Sequence, residues 1–185
     1  MVLARRSKVT GATVHIPTLA TDRLTLGAFT LAHFEAFADF CATERSRFLG
    51  GPITERRDAW DSCMIHNGQW MARGYGAVWA TETATGAPVG RFSLWHPITF
   101  DEPELSWVVF DGFEGKGYAA EGAAALRNWA FAEKGIGPLM SLIAPENARS
   151  VALAQRLGCA EEGRQAYKSG AEVIRFRHPD PRRVA

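Results

Sequence analysis

Glu104-Leu105-Ser106-Trp107-Val108-Val109-Phe110 reads as an apolar strand, Asp111-Gly112-Phe113-Glu114-Gly115-Lys116-Gly117 as a glycine-rich turn, and an alanine-rich helix opens at about Tyr118 and runs through Phe131. Glycines in such a turn let the backbone approach a ligand with no side chain in between. The first amides of the helix have no intrahelical acceptor, and the helix dipole is positive there. The turn therefore suits an anion such as a pyrophosphate.

Spacing separates the phosphate-binding designs that share this outline. A Walker A loop needs Ser or Thr directly after its Gly-Lys pair to reach magnesium, and here Gly115-Lys116 is followed by Gly117. A dinucleotide fingerprint needs Gly-x-Gly-x-x-Gly, with an acidic residue about twenty positions later at the end of a second strand. Gly115-Lys116-Gly117-Tyr118-Ala119-Ala120 puts alanine in the last place, and the chain is still helical around Phe131 to Gly135. No ribose-binding carboxylate is placed. As a bare turn, the glycine trio is equally compatible with a purely structural role.

The run from Gly115 to Glu121, directly after a strand, resembles the acetyl-CoA loop of the GNAT N-acetyltransferases, written Gln/Arg-x-x-Gly-x-Gly/Ala. Gly115 and Gly117 fill its fourth and sixth positions, and Gly112 stands where Gln or Arg is usual. Pro145-Glu146-Asn147-Ala148-Arg149-Ser150, continuing through Leu153 to Leu157-Gly158, is similar to that family's Pro-x-Asn-x-x-Ser-x-x-Leu-x-x-x-Leu-Gly segment. Thr21-Asp22-Arg23-Leu24-Thr25-Leu26 resembles the Thr-x-Arg-Leu-x-Leu opening of the branch named for ribosomal-protein alanine and serine N-acetyltransferases.

The resemblance implies an α+β fold, layered α/β/α, with a mixed central sheet of about seven strands and about four helices. It implies a single domain over residues 14–178 with tails at 1–13 and 179–185. It further implies transfer of an acetyl group from acetyl-CoA, without a metal, to a primary amine by direct attack in a ternary complex. The acceptor is a small-molecule amine or a protein N-terminus, and a homodimer stays open. Val108, Val109 and Phe110, then Gly115, Lys116, Gly117, Tyr118, Ala119 and Ala120, would wrap the pantetheine and pyrophosphate. The amide near Val108 or Val109 would donate to the acetyl carbonyl. Asn147 is placed to cap its helix and to contact pantetheine. Gly112 and the lack of a tyrosine in Asn147–Leu157, where the family's usual acid lies, leave a non-catalytic acyl-CoA sensor or scaffold as the alternative.

The chemistry narrows the catalytic candidates. A lysine-like amine, with a pKa of about 10.4, is neutral at pH 7 about once in 2,500 molecules, a deficit of roughly 4.6 kcal/mol. For an α-amine near 7.7–8.0 the deficit is only about 1.4 kcal/mol. Glu104, opening the signature strand, is the candidate base; a solvated strand-start carboxylate accounts for it equally well. Glu121 is more simply explained by the helix dipole. Ser150 is the candidate acid, with a hydrogen bond at the helix N-terminus as its structural explanation, and Tyr118 and Tyr167 are weaker alternatives.

Composition excludes other classes. The 185 residues suit one domain, and 21 Lys+Arg against 20 Asp+Glu leave a net charge of +1, so no global field recruits nucleic acid or an anionic membrane. Basic clusters at Arg5, Arg6 and Lys8 and at Arg175, Arg177, Arg182 and Arg183 read as solvated. No apolar run approaches a membrane span, and no signal-peptide core opens the chain, so a cytoplasmic protein is expected. Cys41, Cys63 and Cys159 read as reduced thiols, and His15, His33, His66, His96 and His178 show no ligand spacing.

Around the signature stretch, the pattern predicts a strand over Arg23–Phe29, a helix capped by Thr30, and a second helix capped by Thr54 with Trp60, Cys63, Met64 and Met71 on one face. Strands follow over Tyr75–Thr83 and Val89–Trp95, joined at Thr85-Gly86-Ala87-Pro88. Leu139–Ile143 reads as a short buried strand, Asn147 to Gly158 as a helix, and Glu162–Tyr167 with Glu172–Arg177 as a closing hairpin around Ser169-Gly170. Trp79, Trp95, His96, Trp107 and the loop near Phe48 are the candidate acceptor contacts.

Overall fold

The computed structural model describes residues 13–167 and 170–183. The expected N-terminal tail with Arg5, Arg6 and Lys8 (residue 13 excepted), Ser169 of the closing hairpin and the last two residues lie outside the described residues.

The chain opens with β1 (Leu19–Ala20) and β2 (Leu24–Gly27). Thr30, in extended backbone, accepts a hydrogen bond from the His33 amide and starts α1 (Leu31–Cys41). Phe34, Phe37, Ala38 and Cys41 recur at helical spacing and are buried. A 3-10 turn (Glu44–Leu49) leads into α2 (Arg56–Arg73). The expected Thr54 cap is not used; Glu55 occupies the cap position without a side-chain bond. Met71, expected on the buried face, is 82% exposed. Trp70 takes the inward position instead and donates its indole N–H to the Ala77 carbonyl at 2.6 Å, which turns the next residue about 100° towards solvent.

β3 (Ala77–Glu82) and β4 (Pro88–Trp95) form the expected hairpin, followed by β5 (Glu104–Val109) and α3 (Tyr118–Ala132). Next come β6 (Met140–Ile143), α4 (Ala148–Arg156), β7 (Ala160–Ala166), β8 (Glu172–Arg177) and a 3-10 turn (Pro181–Arg183). Gly158, with φ 75°, ends α4 as its sequence position predicts.

One mixed sheet of eight strands, not about seven, runs in the order β1-β2-β3-β4-β5-β6-β8-β7. The additional strand is β1, a two-residue pairing of Leu19 with Leu26 and Ala20 with Thr25 that is too short for any alternation to reveal. Every pairing is antiparallel except β5 with β6. On one face Leu26, Val78, Phe92, Leu94 and Leu105 pack against Ala123, Leu126 and Trp129 of α3. On the other, Trp79 and Val108 pack against Phe34, Phe37, Ala59 and Cys63 of α1 and α2. Each fully buried leucine contributes about 1.5–3 kcal/mol. The small residues of α3 let it sit close: a Cβ at Gly122 would lie 2.3 Å from the Phe92 ring.

Candidate active site

β5 and β6 run parallel and pair at a single register point, Glu104 with Met140. Beyond it the strands part, and two side chains span the start of the opening. Ser141 Oγ donates to the Leu105 carbonyl at 2.5 Å, and the Leu142 amide donates to Glu104 Oε1 at 3.4 Å. On its other edge β5 is paired with β4 from Glu104 to Val109. The Phe110 amide donates to Val89 of β4, whereas the Leu105 carbonyl turns to Ser141 of β6. By the two-residue alternation of a strand, Leu105, Trp107 and Val109 turn their amides to the β6 side, Leu105 within the Glu104–Met140 pairing and Trp107 and Val109 in the opening beyond it, and Val108 presents its amide to β4. Of the two residues named for the acetyl carbonyl, Val109 has its N–H on the open edge.

The turn after β5 places three glycines in left-handed backbone: Gly112 at φ 84°, Gly115 at 72° and Gly117 at 86°. At Gly112 and Gly115 a Cβ would meet nothing within 4 Å, so conformation rather than space demands glycine. Left-handed glycines can turn successive amides to one side, the backbone geometry of anion-binding concavities, and this turn leads directly into the N-terminus of α3. Gly117 is itself the cap residue of α3.

Two arginines from outside the turn hold it. Arg23 Nη1 donates to the Lys116 carbonyl at 2.8 Å, and its Nε donates to Glu121 Oε2 at 2.8 Å. The Arg23 amide and Thr21 Oγ1 donate to Glu121 Oε1 at 2.9 and 2.6 Å. Burial alone would raise the Glu121 carboxyl, but the hydrogen bonds from Thr21 and Arg23 and the Arg23 charge hold it below the usual carboxylate range. Arg45, in the turn after α1, donates to the Val109 carbonyl at 3.0 Å, to Asp111, and pairs with Glu114 at 2.9 Å. Lys116 lies 5.0 Å above the Phe113 ring. The Tyr118 hydroxyl donates to Glu82, which raises its pKa, so the side chain faces away from the opening and is no acid candidate. Tyr118, Ala119 and Ala120 form the first turn of α3, directly after the cap residue Gly117.

Glu104 lies on the α1–α2 face of the sheet, paired with Trp95 on one side and Met140 on the other, each of which lines a cavity. One, of about 340 Å³, is lined by Asp58, Asp61, Ser62, Ile65 and His66 of α2 and by Trp95, which stands directly across from Glu104 on β4. The His66 ring packs 4.6 Å from Trp95, and Nδ1 is 3.3 Å from Ser93 Oγ. Burial, then the charge of Arg91, keeps His66 neutral. The other cavity, of about 250 Å³, is lined by Thr99, Phe100, Asp101, Met140, Leu142 and the end of β7 through Tyr167. Burial and the Glu104 charge raise the Tyr167 hydroxyl pKa.

Ser150 and Asn147 lie on the opposite, α3–α4 face. Asn147 Oδ1 accepts the Ser150 amide at 3.3 Å and caps α4. Trp107 Nε1 donates to Ser150 Oγ at 3.3 Å, joining β5 to α4 across the opening.

Several candidate acceptor contacts are placed elsewhere. Trp79 is 1% exposed in the core under α1 and α2. Trp107 lies on the α4 side, His96 bonds to Tyr75 and the Phe100 carbonyl, and Phe48 stacks under Arg47. Trp95, by contrast, lines a cavity against α2. Sequence reading also missed the bracing by Arg45, which no local pattern marks; Arg23 lay in a quoted motif but without a role. Arg91, on β4, is buried with Nε and Nη1 unpaired among the described residues. Among these residues no His, Cys, Asp and Glu cluster could hold a metal, and no helix is long and apolar enough to cross a membrane.

Comparison with known proteins agrees with this architecture. The family model described as acetyltransferase (GNAT) domain matches residues 23–160. An acetyltransferase from Agrobacterium tumefaciens is 35% identical, with 91% of this chain and 98% of that one covered and a TM-score of 0.81. The uncharacterized N-acetyltransferase YnaD of Bacillus subtilis is 32% identical over 60 residues, a match spanning 32% of this chain and only 35% of that protein. A ribosomal-protein alanine acetyltransferase from Vibrio fischeri shares the fold at 13% identity, covering 89% and 97% of the two chains with a TM-score of 0.65. The chain belongs to the GNAT acetyltransferase family.

Proposed function

We propose that this chain transfers the acetyl group of acetyl-CoA to a primary amine within a ternary complex. The supporting observation is the parting of β5 and β6 after one register pair, with Glu104 on one face of the opening and Ser150 on the other. Acetyl-CoA fits this opening: the free edge of β5 offers the Trp107 and Val109 amides to pantetheine, and the left-handed glycines with the α3 amides suit the pyrophosphate. The amine enters from the α1–α2 face, where the two cavities flank Glu104. Glu104, directly or through a water, takes the ammonium proton, and the nitrogen attacks the thioester carbonyl. The Val109 amide donates to the oxyanion. The added nitrogen sheds its second proton to solvent, and as the C–S bond breaks Ser150 protonates the departing thiolate and recovers a proton from that solvent, leaving CoA, the N-acetylated product and the one proton held by Glu104. A base on one face and an acid on the other match an attack and a departure from opposite sides. The acceptor is a small-molecule amine or a protein N-terminus; the former, if lysine-like, leans on Glu104 by roughly 3 kcal/mol more than the latter.

Two measurements test this. CoA at about 100 times its Kd stabilises a protein by roughly 2.7 kcal/mol, which for this length raises Tm by about 5–10 °C. Thiol release from acetyl-CoA is then followed against a panel of amines. A CoA shift without release from any amine indicates the acyl-CoA sensor instead. Shifts with ATP or NAD and none with CoA overturn the ligand assignment.

A further inference from the structure

Ser150 Oγ and Trp107 Nε1 approach to 3.3 Å, and the chemistry of the two groups fixes the direction of the bond. An indole N–H can only donate, whereas a hydroxyl both donates and accepts. The Ser150 oxygen is therefore the acceptor, and its own proton is not spent on Trp107. A serine in the first turn of a helix commonly turns its hydroxyl back to a carbonyl of the same helix. Here the Ser150 hydroxyl makes no such bond; Trp107 is its one hydrogen-bond partner among the described residues. The backbone of Ser150 is meanwhile tied by its amide to Asn147 Oδ1.

We propose that Trp107 is a positioning residue for acetyl transfer: its indole N–H orients the Ser150 hydroxyl so that the proton points into the β5–β6 opening, towards the leaving sulfur. The inference rests on Ser150 acting as the proton donor in the proposed reaction. An N–H donated to an oxygen also withdraws electron density from it and makes its O–H a better donor. Ser150 would then give its proton to the CoA thiolate and regain, through solvent, the one the acylated nitrogen sheds, with no net change at the serine.

The indole is itself braced from behind. The His178 ring meets Trp107 edge-on, with centroids 6.4 Å apart. His178 Nε2 lies 2.9 Å from Ser141 Oγ, its Nδ1 3.3 Å from Cys159 Sγ, and its amide donates to the Leu139 carbonyl at 3.0 Å. Burial, then the charges of Arg127 and Arg177, lowers the His178 pKa to about 3, so the bracing ring stays uncharged.

The test compares Trp107→Phe, Ser150→Ala and the double variant, with kcat and KM for acetyl-CoA measured from neutral to alkaline pH. Loss of a hydrogen bond of this kind corresponds to a kcat about two- to tenfold lower. KM for acetyl-CoA stays at the wild-type value, and alkaline pH does not restore the rate, because the amine's proton is not what is missing. Ser150→Ala loses at least as much, and the double variant loses no more than Ser150→Ala alone. Ser150→Thr, which keeps a hydroxyl, recovers activity over Ser150→Ala, but not in combination with Trp107→Phe. Wild-type kcat in Trp107→Phe beside an impaired Ser150→Ala overturns the inference, and so do losses that multiply. An unimpaired Ser150→Ala overturns it together with the serine's role, while acetyl transfer itself still stands or falls on thiol release. Should Trp107→Phe not fold, the indole N–H signals of the six tryptophans are compared between wild type and Ser150→Ala by nitrogen–proton NMR. One signal moves upfield if the bond exists in solution, and an unchanged set overturns it.

Discussion

In the proposed reaction the groups that would face the acetyl donor around the glycine turn are backbone amides, presented by Gly112, Gly115, Gly117 and the first turn of α3. Around Glu104 they are side chains: Trp95 and His66 on one side, Tyr167 and Phe100 on the other. The first arrangement is local, one strand, one turn and one helix in direct succession. The second is assembled from α2, β4, the loop before β5, β6 and the end of β7. A backbone site tolerates nearly any side chain that points away from it, so its requirements concentrate in a few glycines. A side-chain site depends on the register that brings distant strands together. The two halves should accordingly fail in different ways when mutated.

The largest expected effect lies in the acceptor half. Glu104→Gln should lower kcat near neutral pH by about 10²–10⁴-fold, the usual worth of a general base. The amide oxygen of glutamine can still accept from Leu142, so folding and the CoA-induced Tm shift should be unchanged. Raising the pH towards the pKa of the amine should restore the rate, since the nucleophile then loses its proton unaided. A loss below about threefold at every pH, measured with a lysine-like amine, would remove Glu104 from that role.

In the donor half Gly117→Val should act on CoA binding and leave the pH profile alone. Its φ of 86° costs an L-residue about 1–2 kcal/mol of stability. A Cβ there would also stand 3.3 Å from Arg23 Nη2. KM for acetyl-CoA should rise about tenfold or more, an amide–phosphate bond being worth about 1.5–3 kcal/mol. A folded variant that keeps the full CoA-induced shift would mean that CoA binds elsewhere.

Arg23→Met should give the smallest effect, because the Arg23–Glu121 pair is half exposed on the arginine side; about 1 kcal/mol of stability or less is expected. The sign of its pH dependence follows from Glu121, whose carboxyl is held below the ordinary range in the folded protein. That contribution is present above the ordinary Glu pKa of about 4.3 and is lost as pH falls through the lowered folded value. The Tm gap between wild type and Arg23→Met should therefore be full near neutral pH and shrink in acid. A gap that stays constant through the acid range would show that Arg23 acts by packing on Tyr118, 4.6 Å away, and not through its charge.

The donor half was legible in the sequence because its signals are short-range. The strand, the glycine turn, the Asn147 cap and the Gly158 stop each depend on neighbours within a few residues. The acceptor half was not. Trp79 and Trp95 lie on the same face of the sheet, yet one is sealed in the core beneath α1 and α2 and the other lines a cavity against α2, a difference set by which helix side chains dock over each position. Val108 and Val109 are adjacent in sequence, and only the pairing of β5 with β4 and β6 shows which amide faces the opening. Met71 lost its expected place to Trp70 because the indole found a buried carbonyl, an interaction with β3 that no helical period encodes.

From the sequence alone came the order of elements apart from β1, the glycine-dependent turn and the polar cap of α4, because backbone conformation and helix ends answer to local residue chemistry. The tertiary structure alone decided that β5 and β6 part after Glu104, that Trp107 reaches Ser150, and that Arg23 and Arg45 grip the turn from other parts of the chain. Each of these joins residues dozens of positions apart, and such contacts are set by sheet register and helix docking, which depend on the whole core at once.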